Sequence, residues 1–263
     1  MQSGDNFGYI AYGEKEGYHR GALMSAMKLL HHCPGANIIV ATDKPRIFSG
    51  YPIRTLELTA EQKSRMSFNG SYGFGIKAAS TIKLLEHSER LLVLDTDMYP
   101  MGDISACFRR ITPTRSLMRL REGQKKDYEA LAGKGIRIGD YTLTGRETMW
   151  NSGIVGVHQA NLGALVDAYA ALQSVFEVVR VHTPEQFCVG VALSRDGRTI
   201  SLHGLPVWNY QTVGKKMLAF QRIAEFFEAY GDLPVDRQIA KAAGYRLWRT
   251  PLDVWRQRHL WSL

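Results

Sequence analysis

Asp95 and Asp97 follow directly on the apolar run Leu91-Leu92-Val93-Leu94, in the segment LLVLDTDMYPMGD. Side chains two apart on extended backbone share a side, so both acids can face one cleft. Paired carboxylates there favour a hard divalent cation, Mg2+ or Mn2+, which keeps positions open for phosphate oxygens. Two turn or cap acids fit the same three letters equally well. Glu185 and Gln186 follow a proline in PEQFCV, a helix-start pattern in which an acid also meets the helix dipole, worth about 0.3–1 kcal/mol. Asn151, Ser152 and Gly153 stand in MWNSGIVGVH, where the glycine permits a bulge or a close approach of backbone to a ligand.

The surrounding pattern supplies elements to hold these residues. Residues 7–12 read as a buried strand, 18–32 as a helix with Leu23, Met27 and Leu30 at helical spacing, and 37–42 as a second strand. Strand, helix and strand at this spacing imply a parallel sheet with a right-handed crossover. A short strand at 52–56, a glycine-opened helix at 71–87 and a strand at 90–94 follow. Residues 114–121 read as an exposed strand with Leu117 and Leu120 turned inward. Residues 122–140 are polar and glycine-bearing, and read as a mobile insertion or a small helix in a loop. A strand at 149–158, helices at 161–176 and 184–193, strands at 199–203 and 206–210, a helix at 215–230 and a smaller helical C-terminal region complete the chain. No repeat or linker breaks it, so one α/β domain is expected.

Composition narrows the classes. The chain has 263 residues, 45% of them hydrophobic, which predicts a packed core and not disorder. Cys33, Cys107 and Cys188 are odd in number and far apart, which suits a reducing compartment and neither a disulfide framework nor a zinc site. With no signal pattern and no run approaching 18 apolar residues, a cytoplasmic location is expected. Lys and Arg number 33 against 25 Asp and Glu, with a pI near 9.4. That balance favours phosphorylated substrates or an anionic membrane surface. Without a basic stripe or reader motif, nucleic acid is not expected as a partner. The terminal run YRLWRTPLDVWRQRHLWSL interleaves Trp248, Trp255 and Trp261 with Arg246, Arg249, Arg256 and Arg258, which suits a peripheral membrane contact or plain packing on the domain.

The order of these features resembles the GT-A-type nucleotide-sugar glycosyltransferases: an N-terminal βαβ unit, a helix carrying Lys77, an apolar strand ending in D-x-D, an Asn-Ser-Gly strand and an acid-Gln helix start. The likeness runs from about residue 7 to residue 227. It implies a single Rossmann-type GT-A-like domain over residues 1–230, with a mostly parallel sheet flanked by helices, and a small helical extension over 231–263. It also implies transfer of a sugar from a nucleoside diphosphate sugar, UDP before GDP, to a hydroxyl of a cell-surface or lipid-linked glycan. By the same likeness Asp95 and Asp97 bind Mn2+ or Mg2+. The backbone at Tyr9, Ala11 and Tyr12, together with Asp43, holds the nucleoside. Lys77, Lys215 or Lys216, and the segment Asn151, Ser152 and Gly153 meet the donor's phosphates or sugar. Glu185 or Gln186 acts at the reacting centre, the acid as acceptor base if the enzyme inverts and the pair flanking the anomeric carbon if it retains. The chain departs from the pattern at the third metal ligand, where Asn209 replaces the usual His and His203 is the alternative. A sugar-phosphate nucleotidyltransferase is the rival reading, though AYGEKEGYHRG lacks its glycine-rich loop; a non-catalytic carbohydrate- or membrane-binding module is another. Gly73, Gly75 and Ala78 match a dinucleotide fingerprint without the strand it requires.

Overall fold

Residues 4–248 are described by the computed structural model, and they begin with the strand–helix–strand unit: β1 (Asp5–Ala11), α1 (Glu16–His32) and β2 (Ile38–Thr42). Then come β3 (Arg54–Glu57), α2 (Ala60–Met66), α3 (Gly75–Leu85), β4 (Arg90–Leu94) and a three-residue β5 (Met98–Pro100). Strand β6 (Arg115–Gly123), the small hairpin β7 (Arg137–Ile138) and β8 (Tyr141–Thr142), and the long β9 (Met149–His158) form the middle of the chain. Helices α4 (Leu162–Val179) and α5 (Pro184–Leu193), strands β10 (Thr199–Leu202) and β11 (Val207–Asn209), and helices α6 (Val213–Tyr230) and α7 (Val235–Gly244) close it.

The protein is α/β, with a mostly parallel seven-stranded central sheet in the order β10-β6-β9-β4-β1-β2-β3. Strand β9 runs antiparallel to both of its neighbours, β4 and β6. Period-two alternation splits the sheet's side chains between two faces. Phe7, Tyr9, Ile38, Val40, Leu92 and Leu94 join one core with α1, α6 and α7. Ile10, Ile39, Ala41, Leu91 and Val93 join a second core with α3, α4 and α5. Strands buried on both faces therefore read as continuous apolar runs, which is why β2 and β4 were plain in the sequence. Because α1 and α3 cover opposite faces, the chain parts between β1 and β4, and in open α/β sheets ligands gather at the carboxyl ends beside such a parting.

Several expectations are corrected. Strand β6 lies inside the sheet between β9 and β10 and is not an exposed strand. Leu117 and Met118 are buried, whereas Leu120 is 50% exposed. Of the two readings of segment 122–140, the small helix in a loop is the one found: a short 3-10 helix, Lys126–Leu131, buries Tyr128 and Leu131, and the Tyr128 ring stacks on Phe187 at 4.1 Å. Helix α2, the pair β5–β11 and the β7–β8 hairpin were not foreseen. Among the described residues, one helical stretch, Gln159–Val179, is long and apolar enough on average to cross a membrane, although it is no unbroken apolar run. Here Leu165, Ala168 and Leu172 turn into the cores. Helix α7 packs on α1, where Lys28 donates to the Ala243 carbonyl at 2.5 Å, and Trp248 meets Trp208 edge-on at 5.3 Å. Of the basic, aromatic terminal run, Arg249, Trp255, Arg256, Arg258 and Trp261 lie outside the described residues.

Candidate functional site

The loop Asp95-Thr96-Asp97 leaves β4 as a tight turn, closed by the Met98 N–H on the Asp95 carbonyl at 2.9 Å. Its backbone is fixed from three sides. The Asp95 N–H donates to Gly153 of β9 at 3.0 Å, the Tyr210 hydroxyl to the Thr96 carbonyl at 2.8 Å, and the Tyr210 N–H to the Asp97 carbonyl at 3.2 Å. Helix α1 allows this approach through Gly21, where a Cβ would lie 2.8 Å from the Thr96 oxygen. Both carboxylates then face a cleft of about 440 Å³ whose walls include Ile10, Tyr12, Tyr18, Phe74 and Lys216.

Each acid meets a lysine. Lys77 Nζ is 2.7 Å from Asp95 Oδ1 and also donates to the Ser152 carbonyl and hydroxyl at 3.0 and 3.1 Å. Lys216 Nζ is 3.2 Å from Asp97 Oδ2. Ser152 in turn donates to Glu185 Oε2 at 2.7 Å, and that oxygen stands 4.0 Å from Lys77 Nζ. Burial opposes charge on Lys77, but Asp95 and Glu185 outweigh it and hold the ammonium well above its ordinary pKa. Burial pushes the Glu185 carboxyl up, and Lys77 and Ser152 offset only part of that. Asp97 is raised by burial and then by Asp95, against the pull of Lys216.

A notch of about 100 Å³ continues the cleft, sharing Asp95, Asp97 and Lys77 and adding Ser152, Gly153 and Glu185. Beyond it a hollow of about 610 Å³ is lined by Glu122, Lys125, Tyr128, Asn151 and Gln186. Gln186 borders both notch and hollow, while Glu185 borders the notch alone of these two. The structure thus gathers Asp95, Asp97, Lys77, Asn151, Ser152, Gly153, Glu185, Gln186 and Tyr12 around one continuous opening.

Other expected residues stand elsewhere. Tyr9 and Ala11 are fully buried in the core on the α1 side, where the Tyr9 hydroxyl bonds Ser25 at 2.7 Å, while Ile10 and Tyr12 reach the cleft. Asp43 is engaged within the protein: it accepts from the Gly13 N–H at 3.0 Å, from His19 Nε2 at 2.8 Å and from Lys63. Burial works against its charge, but Lys63, Gly13 and His19 prevail and hold it at about 2. Lys215 is exposed, and its neighbour Lys216 is the lysine at the cleft. His203 is absent from the cleft walls: its Nδ1 accepts the Leu205 N–H at 2.9 Å. Asn209 donates Nδ2 to Asp97 Oδ1 at 3.0 Å and gives its carbonyl oxygen to Arg119 at 3.3 Å.

These placements test the fit of a cation. Two carboxylates suffice for a Mg2+-like ion that takes phosphate and water oxygens for the rest of its shell. An all-protein cage is not built, since Asn209 turns a donor to Asp97 and no group of three His, Cys, Asp or Glu is placed for a metal among the described residues. Arg119, at the notch, was missed by sequence reasoning, whereas of the two lysines it offered, Lys215 and Lys216, the second is the one at the cleft. Comparison with protein-family models and with curated proteins found no match to this chain.

Proposed function

We propose that this chain is a GT-A-like glycosyltransferase that moves one sugar from a nucleoside diphosphate sugar, UDP before GDP, to a hydroxyl of a glycan or lipid-linked acceptor. The observation that carries this is the pair Asp95 and Asp97 at the carboxyl end of β4, opening on a cleft that runs through a small polar notch into a second hollow. The nucleoside fits the aromatic cleft beside Tyr12, Tyr18 and Phe74, the sugar fits the notch, and the acceptor fits the hollow. Asp95 and Asp97 would hold a Mg2+ or Mn2+ ion shared with the diphosphate, and its charge would stabilise that group as it leaves.

The residues of the chain do the positioning. Lys77 and Ser152 fix the notch wall and hold Glu185 in place. Glu185 borders the notch and not the hollow, which favours an acid-Gln pair flanking the anomeric carbon, and so retention, over an acid that deprotonates the acceptor. Gln186 stands between sugar and acceptor.

A thermal-shift panel of UDP- and GDP-sugars with and without Mn2+ tests the reading, since a ligand at a hundred times its Kd adds about 2.7 kcal/mol to the folded state. A metal-dependent rise with one nucleotide is expected, followed by sugar transfer to water or an added glycan. No shift with any nucleoside diphosphate would end the proposal. Pyrophosphate release from a nucleoside triphosphate and a sugar phosphate would instead favour the nucleotidyltransferase.

A further inference from the structure

The pairing of β6 with β9 breaks at Arg119. Met118 pairs with Val155 and Leu120 with Asn151, so two steps along β6 match four along β9, and Arg119 alone stands opposite residues 152–154. Such irregularities re-aim side chains and gather beside functional sites. Here the break brings the half-buried guanidinium to the notch that also holds Asp95, Asp97 and Glu185. Gly153 leaves the room: a Cβ there would lie 3.2 Å from Arg119 Cδ and 2.6 Å from Met98 Cε.

The partners of Arg119 are neutral. Its Nη1 donates to Gln211 Oε1 at 2.6 Å and to Asn151 Oδ1 at 3.4 Å, and its Nη2 to Asn209 Oδ1 at 3.3 Å. The acids nearby are engaged by other groups. Asp95 takes Lys77, Asp97 takes Lys216 and Asn209, and Glu122 takes Asn151 and Lys125. A planar fork of donors held by three amides, with Glu122 near enough to feel its charge but no carboxylate within ion-pair distance among the described residues, is poised for an anionic oxygen group.

We infer that Arg119 binds an anionic group of the substrate at the notch, beside Gln211, which lines cleft, notch and hollow alike, with the diphosphate of the donor as the source favoured by its link through Asn209 to Asp97. This rests on the proposed function and adds a residue to it. The same chemistry is available from a carboxylate on the sugar or acceptor, so the test carries both.

Titration calorimetry of the full chain with inorganic pyrophosphate plus Mn2+, and separately with glucuronate, would compare wild type, Arg119→Gln and Arg119→Lys. Loss of a charge-assisted bond predicts pyrophosphate binding weaker by on the order of 10- to 100-fold in Arg119→Gln. Arg119→Lys keeps the charge without the fork and is expected to fall between. The ligand-free melting temperatures of the variants show that folding is not the cause, and Arg119→Lys serves if Arg119→Gln does not fold. A loss confined to glucuronate supports the anion site and assigns it to a carboxylate. Pyrophosphate and glucuronate affinities both unchanged by Arg119→Gln overturn the inference and leave the glycosyltransferase reading standing. A wild type that binds neither anion overturns the inference, while the nucleoside diphosphate panel decides the glycosyltransferase reading separately.

Discussion

Lys77 of α3 meets Asp95, the acid that follows β4, at 2.7 Å while its ammonium stands 4.0 Å from Glu185 at the start of α5. One buried cation therefore holds two carboxylates that arrive from distant parts of the chain. Without it, the buried Glu185 would lose the cation that offsets its desolvation, and a charge left unpaired in such a place costs far more than a surface pair contributes.

Lys77→Met should destabilise the protein by about 3–5 kcal/mol, the usual cost of removing one partner of a buried ion pair. Urea unfolding measures it. Adding Glu185→Gln to that variant should restore part of the loss, because it removes one of the stranded charges. A double variant no more stable than Lys77→Met alone would speak against the shared-cation account.

Cation binding should depend on pH through Asp97. Burial and Asp95 raise its carboxyl, so it gives up its charge at a higher pH than a free aspartate, whose pKa is about 3.9. Mn2+ binding, followed by electron paramagnetic resonance with UDP or GDP present, should weaken as the pH falls through that raised value. Asp97→Asn should weaken it at neutral pH by at least about tenfold, the smaller loss typical when only a supporting group is removed. Unchanged binding in Asp97→Asn would remove Asp97 from the cation site.

Asp43 makes the opposite pH prediction, for stability. Its folded pKa, about 2, lies below that of a free carboxylate. Its contribution is therefore complete above pH about 4 and is lost as the pH falls through about 2. Asp43→Asn should cost about 1–3 kcal/mol at neutral pH, as expected for buried hydrogen bonds to a charged group. Stability curves of wild type and variant should run parallel from pH 7 to 5 and converge towards pH 2. A gap that persists at pH 2 would rule out ionisation as its source.

Gly21→Ala should distort the D-x-D loop, because the new Cβ would press on the Thr96 carbonyl at 2.8 Å and the Tyr210 hydroxyl at 2.9 Å. Overpacking of this kind costs about 1–3 kcal/mol. Nucleotide binding should weaken with it. Gly163→Ala on α4 is the control, with open space around it, and is expected to stabilise by up to about 1 kcal/mol. Equal behaviour of the two variants would show that the loop tolerates the methyl.

The parts of the fold legible in the sequence are those whose pattern is local. Ile38–Thr42 and Arg90–Leu94 are continuous apolar runs because both faces of the sheet are covered. The helix after β1 carries its own periodicity. What the sequence hid depends on distant contacts. Arg119 looks like any charged strand residue until the break in pairing with β9 aims it at the notch, and Leu120 is turned outward at the same place. Asp43 reads as a ligand acid, but His19 and Lys63, from two different helices, already satisfy it. Lys215 and Lys216 are equivalent as letters, and only the first turn of α6 decides which of them reaches Asp97. The pairing of Met98–Pro100 with Val207–Asn209, which carries Tyr210 to the acids, joins segments too far apart for any short-range signal.

The reversed direction of β9 has a practical result. Its opening residues arrive at the rim where β4 finishes, so Asn151, Ser152 and Gly153 belong to the framework and to the pocket wall together. Pocket shape can be altered there by exchanging side chains on a strand, with no loop to rebuild, and position 151, paired with Leu120, is the natural starting point.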